Sequence, residues 1–325
     1  MKIAIVRLSA LGDIIHTMVV IQFIKKNFPD IQIDWFVDSY FSEVVNNCPL
    51  IDRTFSINLK NLNLLNLIKN LKDFYTYVSK QDKYDLIIDF QGLLKSGIVT
   101  SMIPAKKKYG FDYRSSRESL SSLFYSHTLR IPYAENIIIR NLKLASEAFG
   151  INIKTSDIDR KKPFFQVKKT TNHKEKYILI VIGASFKSKE YSYTNYAEIA
   201  KSIDMKFIVI WGNSRERLIA KKLARTCNNV ELADKLSFSQ LVDIVNQATL
   251  VLGGDTGPTH LAWAQNIPSI TLFGSTSSDR NFYSTKENVS ISSETLNISK
   301  KIDRNHSLIN NISPSRVTEL IRKII

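Results

Sequence analysis

Cysteine is nearly absent from this 325-residue chain: only Cys48 and Cys227 occur. They lie far apart and lack metal-ligand spacing, so neither a zinc site nor a disulfide framework is expected. Long apolar runs are missing too. None reaches the ~18–20 residues that a membrane-spanning helix requires. The first residues do not read as a secretory leader, because Lys2 and Arg7 bracket a short strand-like run and no small-residue cleavage site follows. A cytoplasmic protein is expected. The chain also lacks HExxH, CxxC, a GKS/T phosphate loop and a Gly-x-Ser-x-Gly elbow. No metal-dependent step and no cofactor are expected. GxGxxG is absent as well, which argues against a dinucleotide site; Gly12 stands alone.

Acidic residues are in deficit, 30 against 45 Lys and Arg, for a formal charge of +15. Such a balance fits an anionic partner: a nucleic acid, an acidic lipid or a phosphorylated substrate. The excess is uneven. Residues 95–130 carry a net +5, interleaved with Tyr109, Phe111, Tyr113, Phe124 and Tyr125, which reads as a binding surface. Residues 154–176 also carry +5, either as a solvated face plus a flexible linker or as a second surface for the anionic partner. What is present is otherwise ordinary: 44% hydrophobic and 23% charged residues, as in a soluble globular protein, and enough length for two domains of roughly 150 residues.

Apolar runs and helical spacings alternate along both halves. Strands are expected at 2–6, 33–37 and 84–90, and helices at 13–27, near 41–47, over 61–80 (Leu64, Leu65, Ile68, Leu71), at 92–103 and at 136–149 before Gly150. The rhythm restarts after residue 175: strands at 177–183, 206–212, 230–234, 249–255 and 269–274 alternate with helices at 192–203, 214–226, 237–247 and 257–265. Segment 269–274 is the last clear strand. SPSRVTELIRKII reads as a closing helix capped by Ser313 or Ser315. This is an α/β chain of two doubly wound, Rossmann-like domains facing a central cleft: 1–155, a basic linker 156–175, 176–312, and the closing helix 313–325. Ligands of such sheets bind beyond the carboxyl ends of the strands.

Four strand-to-helix corners could carry chemistry. SALGDIIH (9–16) places Asp13 at a helix start, where it is either a dipole partner or an ionised base; His16 follows one turn later. LGGDTGPTHLAWA (252–264) combines three glycines, Pro258 and Thr256 with Asp255, suited to a phosphate at the helix start and to sugar hydroxyls, or simply to a well-capped helix. IGASFKSKEYSY (182–193) projects Lys187 and Lys189, either of which would neutralise a diphosphate or be merely solvated. WGNSRER (211–217) brings Glu216, a helix-start acid that can also hold ribose hydroxyls.

RLSALGDIIHT (7–17), DWFVDSYF (34–41), DFQGLLKS (89–96), RESLSSLFY (117–125) and GGDTGPTHL (253–261) resemble the ADP-heptose:lipopolysaccharide heptosyltransferases of glycosyltransferase family 9 over nearly the full length. DFQGLLKS and RESLSSLFY are similar to the heptosyltransferase I group, which adds the first heptose of the core. The resemblance implies a GT-B fold, with the acceptor side N-terminal and the ADP-sugar side C-terminal. It implies inverting, metal-independent transfer from ADP-heptose to a Kdo residue of Kdo-lipid A. It further implies Asp13 as general base and Lys189 on the diphosphate, with Lys187 a rival and Ser185 a phosphate-contacting hydroxyl. Glu216 would hold the ribose, Leu236 would lie beside the adenine, and Asp255 would contact the heptose. Thr256, Gly257 and His260 would surround the phosphates, and Ser9, Gly12, Lys95, Arg117 and Arg140 would meet the acceptor.

One departure stands out. Where the family carries a dense basic run, INLKNLNLLNL (57–67) has only Lys60, and a different acceptor phosphate pattern or Lys106–Lys108 would compensate. A monomer, peripheral on the cytoplasmic face of the inner membrane and without a nucleic-acid partner, is expected. The alternatives are a later heptosyltransferase, another ADP-sugar-dependent core glycosyltransferase, a sugar-nucleotide epimerase of the same architecture, or a nucleic-acid-binding protein.

Overall fold

The computed structural model describes residues 1–59, 64–170, 175–293 and 308–325. Lys60 therefore lies outside the described residues, as do 171–174 of the expected linker. The chain forms two compact units, Met1–Phe164 and Phe165–Ile325.

The first unit contains β1 (Lys2–Val6), α1 (Leu11–Asn27), β2 (Gln32–Asp38), α2 (Ser42–Asn46), β3 (Arg53–Ile57), α3 (Leu64–Val78), β4 (Tyr84–Asp89), α4 (Leu94–Met102), β5 (Ala105–Phe111), β6 (His127–Leu129) and α5 (Ile137–Phe149). All pairings in its sheet are parallel, in the order β3-β2-β1-β4-β5-β6. Ile3 pairs with Ile33 on one side and Leu86 on the other. With both faces covered, Ile3 to Val6 are fully buried, which explains their unbroken apolar run. α1 is buried from Ile14 to Ile21 and ends in Lys25 and Lys26, where cations suit the helix dipole. Asn136 caps α5 by accepting from the Ile138 N–H at 3.0 Å, and Gly150 (φ 63°) ends it in the left-handed conformation.

The second unit contains β7 (Tyr177–Val181), α6 (Tyr193–Ser202), β8 (Lys206–Ile210), α7 (Ser214–Thr226), β9 (Val230–Leu232), α8 (Phe238–Gln247), β10 (Leu250–Gly254), α9 (Gly257–Ala264), β11 (Ser269–Phe273), α10 (Ser278–Asn281), β12 (Asn288–Ser292) and α11 (Pro314–Ile324). Its parallel sheet runs β12-β11-β10-β7-β8-β9. Counted within each unit the strand order is the same, with the first and fourth strands side by side at the centre. In this winding the connections leave in opposite directions at that central pair, which opens a crevice at the strands' carboxyl ends. Ser313 caps α11 at 3.4 Å, and Val317 and Ile321 bury the helix in the core of the second unit.

The structure adds four strands and a short helix to the expected set. β3, β6 and β12 are short and partly exposed, with no apolar run to reveal them, and 269–274 is therefore not the last strand. β5 reads as a basic run in sequence, AKKKYGF, yet it is an interior strand. Its aromatic half belongs to the core: Tyr109, Phe111 and Tyr125 are all buried. The interleaved cluster at 95–130 is therefore not one continuous binding surface. Lys106–Lys108 begin β5, at the amino edge of the sheet, where Lys106 pairs with Asp85 at 2.6 Å. They stand at the end of the sheet opposite Asp13.

Candidate active site

β1 ends at Val6, and the next residue, Arg7, turns inward. It is 5% exposed; one guanidinium nitrogen donates to the Phe90 carbonyl and another reaches an oxygen of Asp13 at 3.0 Å. Asp13, in the first turn of α1, accepts the Ala10 N–H at 3.4 Å on its other oxygen. Its side chain remains 44% exposed. The corner thus presents a partly exposed carboxylate held by Arg7 and the Ala10 N–H.

The neighbouring β4 corner braces this loop. Asp89 is fully buried and accepts from the Gln91 N–H at 2.8 Å and the Tyr125 hydroxyl at 2.8 Å. Burial pushes the Asp89 carboxyl above its ordinary range, against the opposing pull of these donors. Gln91 in turn accepts the Leu8 N–H at 2.7 Å, and Lys95 Nζ approaches Ser9 Oγ at 3.4 Å. Ser9, Gly12, Asp13 and Lys95 are therefore brought together. Arg117 is exposed beside Glu118, whose N–H donates to the Gly92 carbonyl at 3.2 Å. Arg140 sits elsewhere. At 2% exposure its guanidinium donates to the carbonyls of Ser115, Ile131 and Pro132 and lies over Phe111, so it braces a loop. His16 is buried.

In the second unit Asp255 follows β10 and is 6% exposed. One carboxylate oxygen accepts from Lys189 Nζ at 2.6 Å and Thr276 Oγ1 at 2.8 Å; the other meets His260 Nε2 at 2.8 Å. Burial by itself would raise its pKa, but Lys189 and His260 outweigh it and hold the group well below the usual carboxylate range. Asp255 is thus an anionic hub that fixes a lysine and a histidine beside the start of α9. The Thr256 hydroxyl meets that of Thr259 at 3.3 Å and accepts no backbone N–H of α9, whereas α6, α7, α8 and α11 are capped by Ser192, Asn213, Ser237 and Ser313. The first-turn N–H groups from Gly257 onward are positioned to meet an anion. Gly254 is required here, because a Cβ would strike the Lys189 carbonyl.

The two candidate lysines separate. Lys189 is 12% exposed and joined to Asp255, whereas Lys187 is exposed and lines a different cavity with Tyr193 and Lys222. Glu216 is buried and accepts from the Gly212 N–H and Asn213 Nδ2, both at 2.6 Å. Gly183, at the end of β7, lies against the Glu216 carboxylate with no room for a Cβ. Ser185 is exposed in the β7–α6 connection, and Leu236 is half-buried between β9 and α8. Sequence reasoning missed Arg7, Asp89, Gln91 and Thr276. The signal for the first two was a lone charge closing an apolar strand.

Residues 79–310 match the family described as glycosyltransferase family 9 (heptosyltransferase). Lipopolysaccharide heptosyltransferase 1 of Campylobacter coli is 36% identical over an alignment taking in 100% of this chain and 99% of that protein. The chain belongs to glycosyltransferase family 9. Lipopolysaccharide heptosyltransferase 1 of Salmonella typhimurium is 26% identical over 85% of this chain and 89% of its own length. Among solved structures, E. coli heptosyltransferase WaaC with ADP superposes with a TM-score of 0.82 at 22% identity, covering 100% of both chains. As a family 9 glycosyltransferase the chain has the GT-B fold, and its two Rossmann-like units are the two halves of that architecture. Among the described residues no helix is long and apolar enough to cross a membrane, and no group of three His, Cys, Asp or Glu is placed to hold a metal ion.

Proposed function

We propose that this glycosyltransferase moves L-glycero-D-manno-heptose from ADP-heptose to a Kdo residue of Kdo-lipid A, with inversion and without a metal. The full-length likeness to a lipopolysaccharide heptosyltransferase 1 carries this reading. The two corners supply fitting chemistry. Asp13, ionised beside Arg7 and open to solvent, accepts the proton of the acceptor hydroxyl as that oxygen attacks the anomeric carbon. General base catalysis of this kind contributes typically ~10²–10⁴-fold. The departing ADP diphosphate is met by Lys189, Ser185 and the start of α9 at Thr256, Gly257 and His260, where fixed positive charge and dipoles favour the developing anion. Lys189 is held there by Asp255. Glu216 receives the ribose hydroxyls and Leu236 the adenine, while Ser9, Gly12, Lys95 and Arg117 contact the acceptor. The chain acts as a monomer at the cytoplasmic face of the inner membrane.

The test is a transfer assay with purified protein, ADP-heptose and either Kdo-lipid A or an acceptor already carrying heptose, in the presence of EDTA, with the linkage determined by NMR. Transfer to Kdo-lipid A with inverted anomeric configuration is expected. Transfer only to the heptosylated acceptor would assign a later step, and loss of transfer in EDTA that an added divalent cation restores would defeat the metal-free reading.

A further inference from the structure

The first unit carries an exposed apolar ridge that neither its core nor the Asp13 corner uses. Residues Ser119–Phe124 form a 3₁₀ turn, in which residues three apart share a face. One face points inward: Ser121 is fully buried and the Phe124 ring lies against Gly97 of α4. The opposite face holds Leu120 and Leu123, 56% and 77% exposed. Leu94, the first residue of α4, is also exposed, and its N–H donates to the Glu118 carboxylate at 2.7 Å, which ties the two elements together. Leucines exposed together in this way mark an interaction surface.

The charge around them points to one kind of partner. Arg114 and Arg117 are exposed. The two acids of the segment are occupied by backbone donors: Asp112 accepts the Ser115 N–H at 2.7 Å and Glu118 accepts that of Leu94. Exposed guanidinium groups beside projecting leucines match an anionic bilayer, with phosphates for the former and the acyl boundary for the latter. The position fits as well. Lys95, next to Leu94, reaches Ser9 at the Asp13 corner, so a lipid-borne sugar at this ridge would lie near the carboxylate.

We propose that Leu94, Leu120 and Leu123, with Arg114 and Arg117, form a membrane-docking ridge that seats the first unit on an anionic bilayer beside its acceptor corner. The proposal rests on the transferase reading above and deepens it by naming the surface that meets the acceptor's membrane. The full chain should co-sediment with phosphatidylglycerol/phosphatidylethanolamine vesicles, less so at high salt, and not with phosphatidylcholine alone. Leu120→Ser with Leu123→Ser should weaken that binding at least about tenfold. The same variant should keep its kcat/KM on a deacylated, soluble acceptor. Wild-type protein that ignores the anionic vesicles, or a double variant that binds them as tightly, overturns the ridge. Should the double variant misfold, Leu123→Cys carrying a polarity-sensitive dye serves instead, because Cys48 and Cys227 are buried. Its emission should shift to the blue on vesicle addition, and an unchanged spectrum overturns the proposal. Vesicle binding needs no acceptor, so failure of the ridge and failure of the transferase reading are seen in separate arms.

Discussion

Arg7 is the residue whose importance depends most on its neighbours. Its guanidinium sits 3.0 Å from Asp13 and is anchored by the Phe90 carbonyl. That ion pair and the Ala10 N–H fix the carboxylate in place. Replacing Arg7 by Met should therefore lower kcat at least about tenfold while ADP-heptose still binds, because a misplaced base no longer meets its proton. Arg7→Lys should cost less, and Asp13→Asn should cost ~10²-fold or more. An Arg7→Met enzyme with unchanged kcat would reduce Arg7 to a packing role.

Asp255 contributes a stabilisation that depends on pH. Its folded pKa lies below the unfolded value, so its stabilisation is present above that unfolded value, about 3.9, and is lost as the pH falls toward the folded pKa. Asp255→Asn leaves Lys189 buried without its counter-charge and should cost about 3–5 kcal/mol at neutral pH. Denaturant titrations of both proteins should show the gap narrowing as the pH falls below about 4. A gap that stays constant with pH would mean that the charge of Asp255 does not carry the stabilisation.

At the scale of elements, the expectations held where a strand or helix is buried in its own right. β7 and β10 hold no charged residue, and β1 after Lys2 and β4 between Asp85 and Asp89 are likewise apolar, because both sheet faces are covered. β5 was illegible because its first half is lysine, tolerated where Lys106 and Lys107 project into solvent at the amino edge. The strand-to-helix corners were legible as corners, but their wiring was not. Gly183 shows why: its lack of a side chain makes room for Glu216, which lies 33 positions away on α7. Gly183→Ala should displace that carboxylate and lower ADP-heptose affinity about as much as Glu216→Gln does, by calorimetry. Unchanged affinity would remove Glu216 from the ribose contact.

For the whole molecule, the question raised by the +15 charge is where that charge sits. Lys106 and Lys107 stand at the sheet edge opposite Asp13, so Lys106→Gln with Lys107→Gln should leave the acceptor KM within about twofold, as expected of surface changes remote from a site. A large rise would place the acceptor phosphates on that edge after all.

The sequence by itself determined the fold class and the places where a strand gives way to a helix. These follow from local signals: apolar period, caps, and glycine or acid at the end of a strand. Only the tertiary structure decided which groups share a corner. It joined Lys189 to Asp255 while leaving Lys187 exposed, buried Arg140 against a loop, and set Arg7 against Asp13. The reason is physical. Burial and ion pairing are set by residues distant in sequence, and a single chain read in order carries no distance between them.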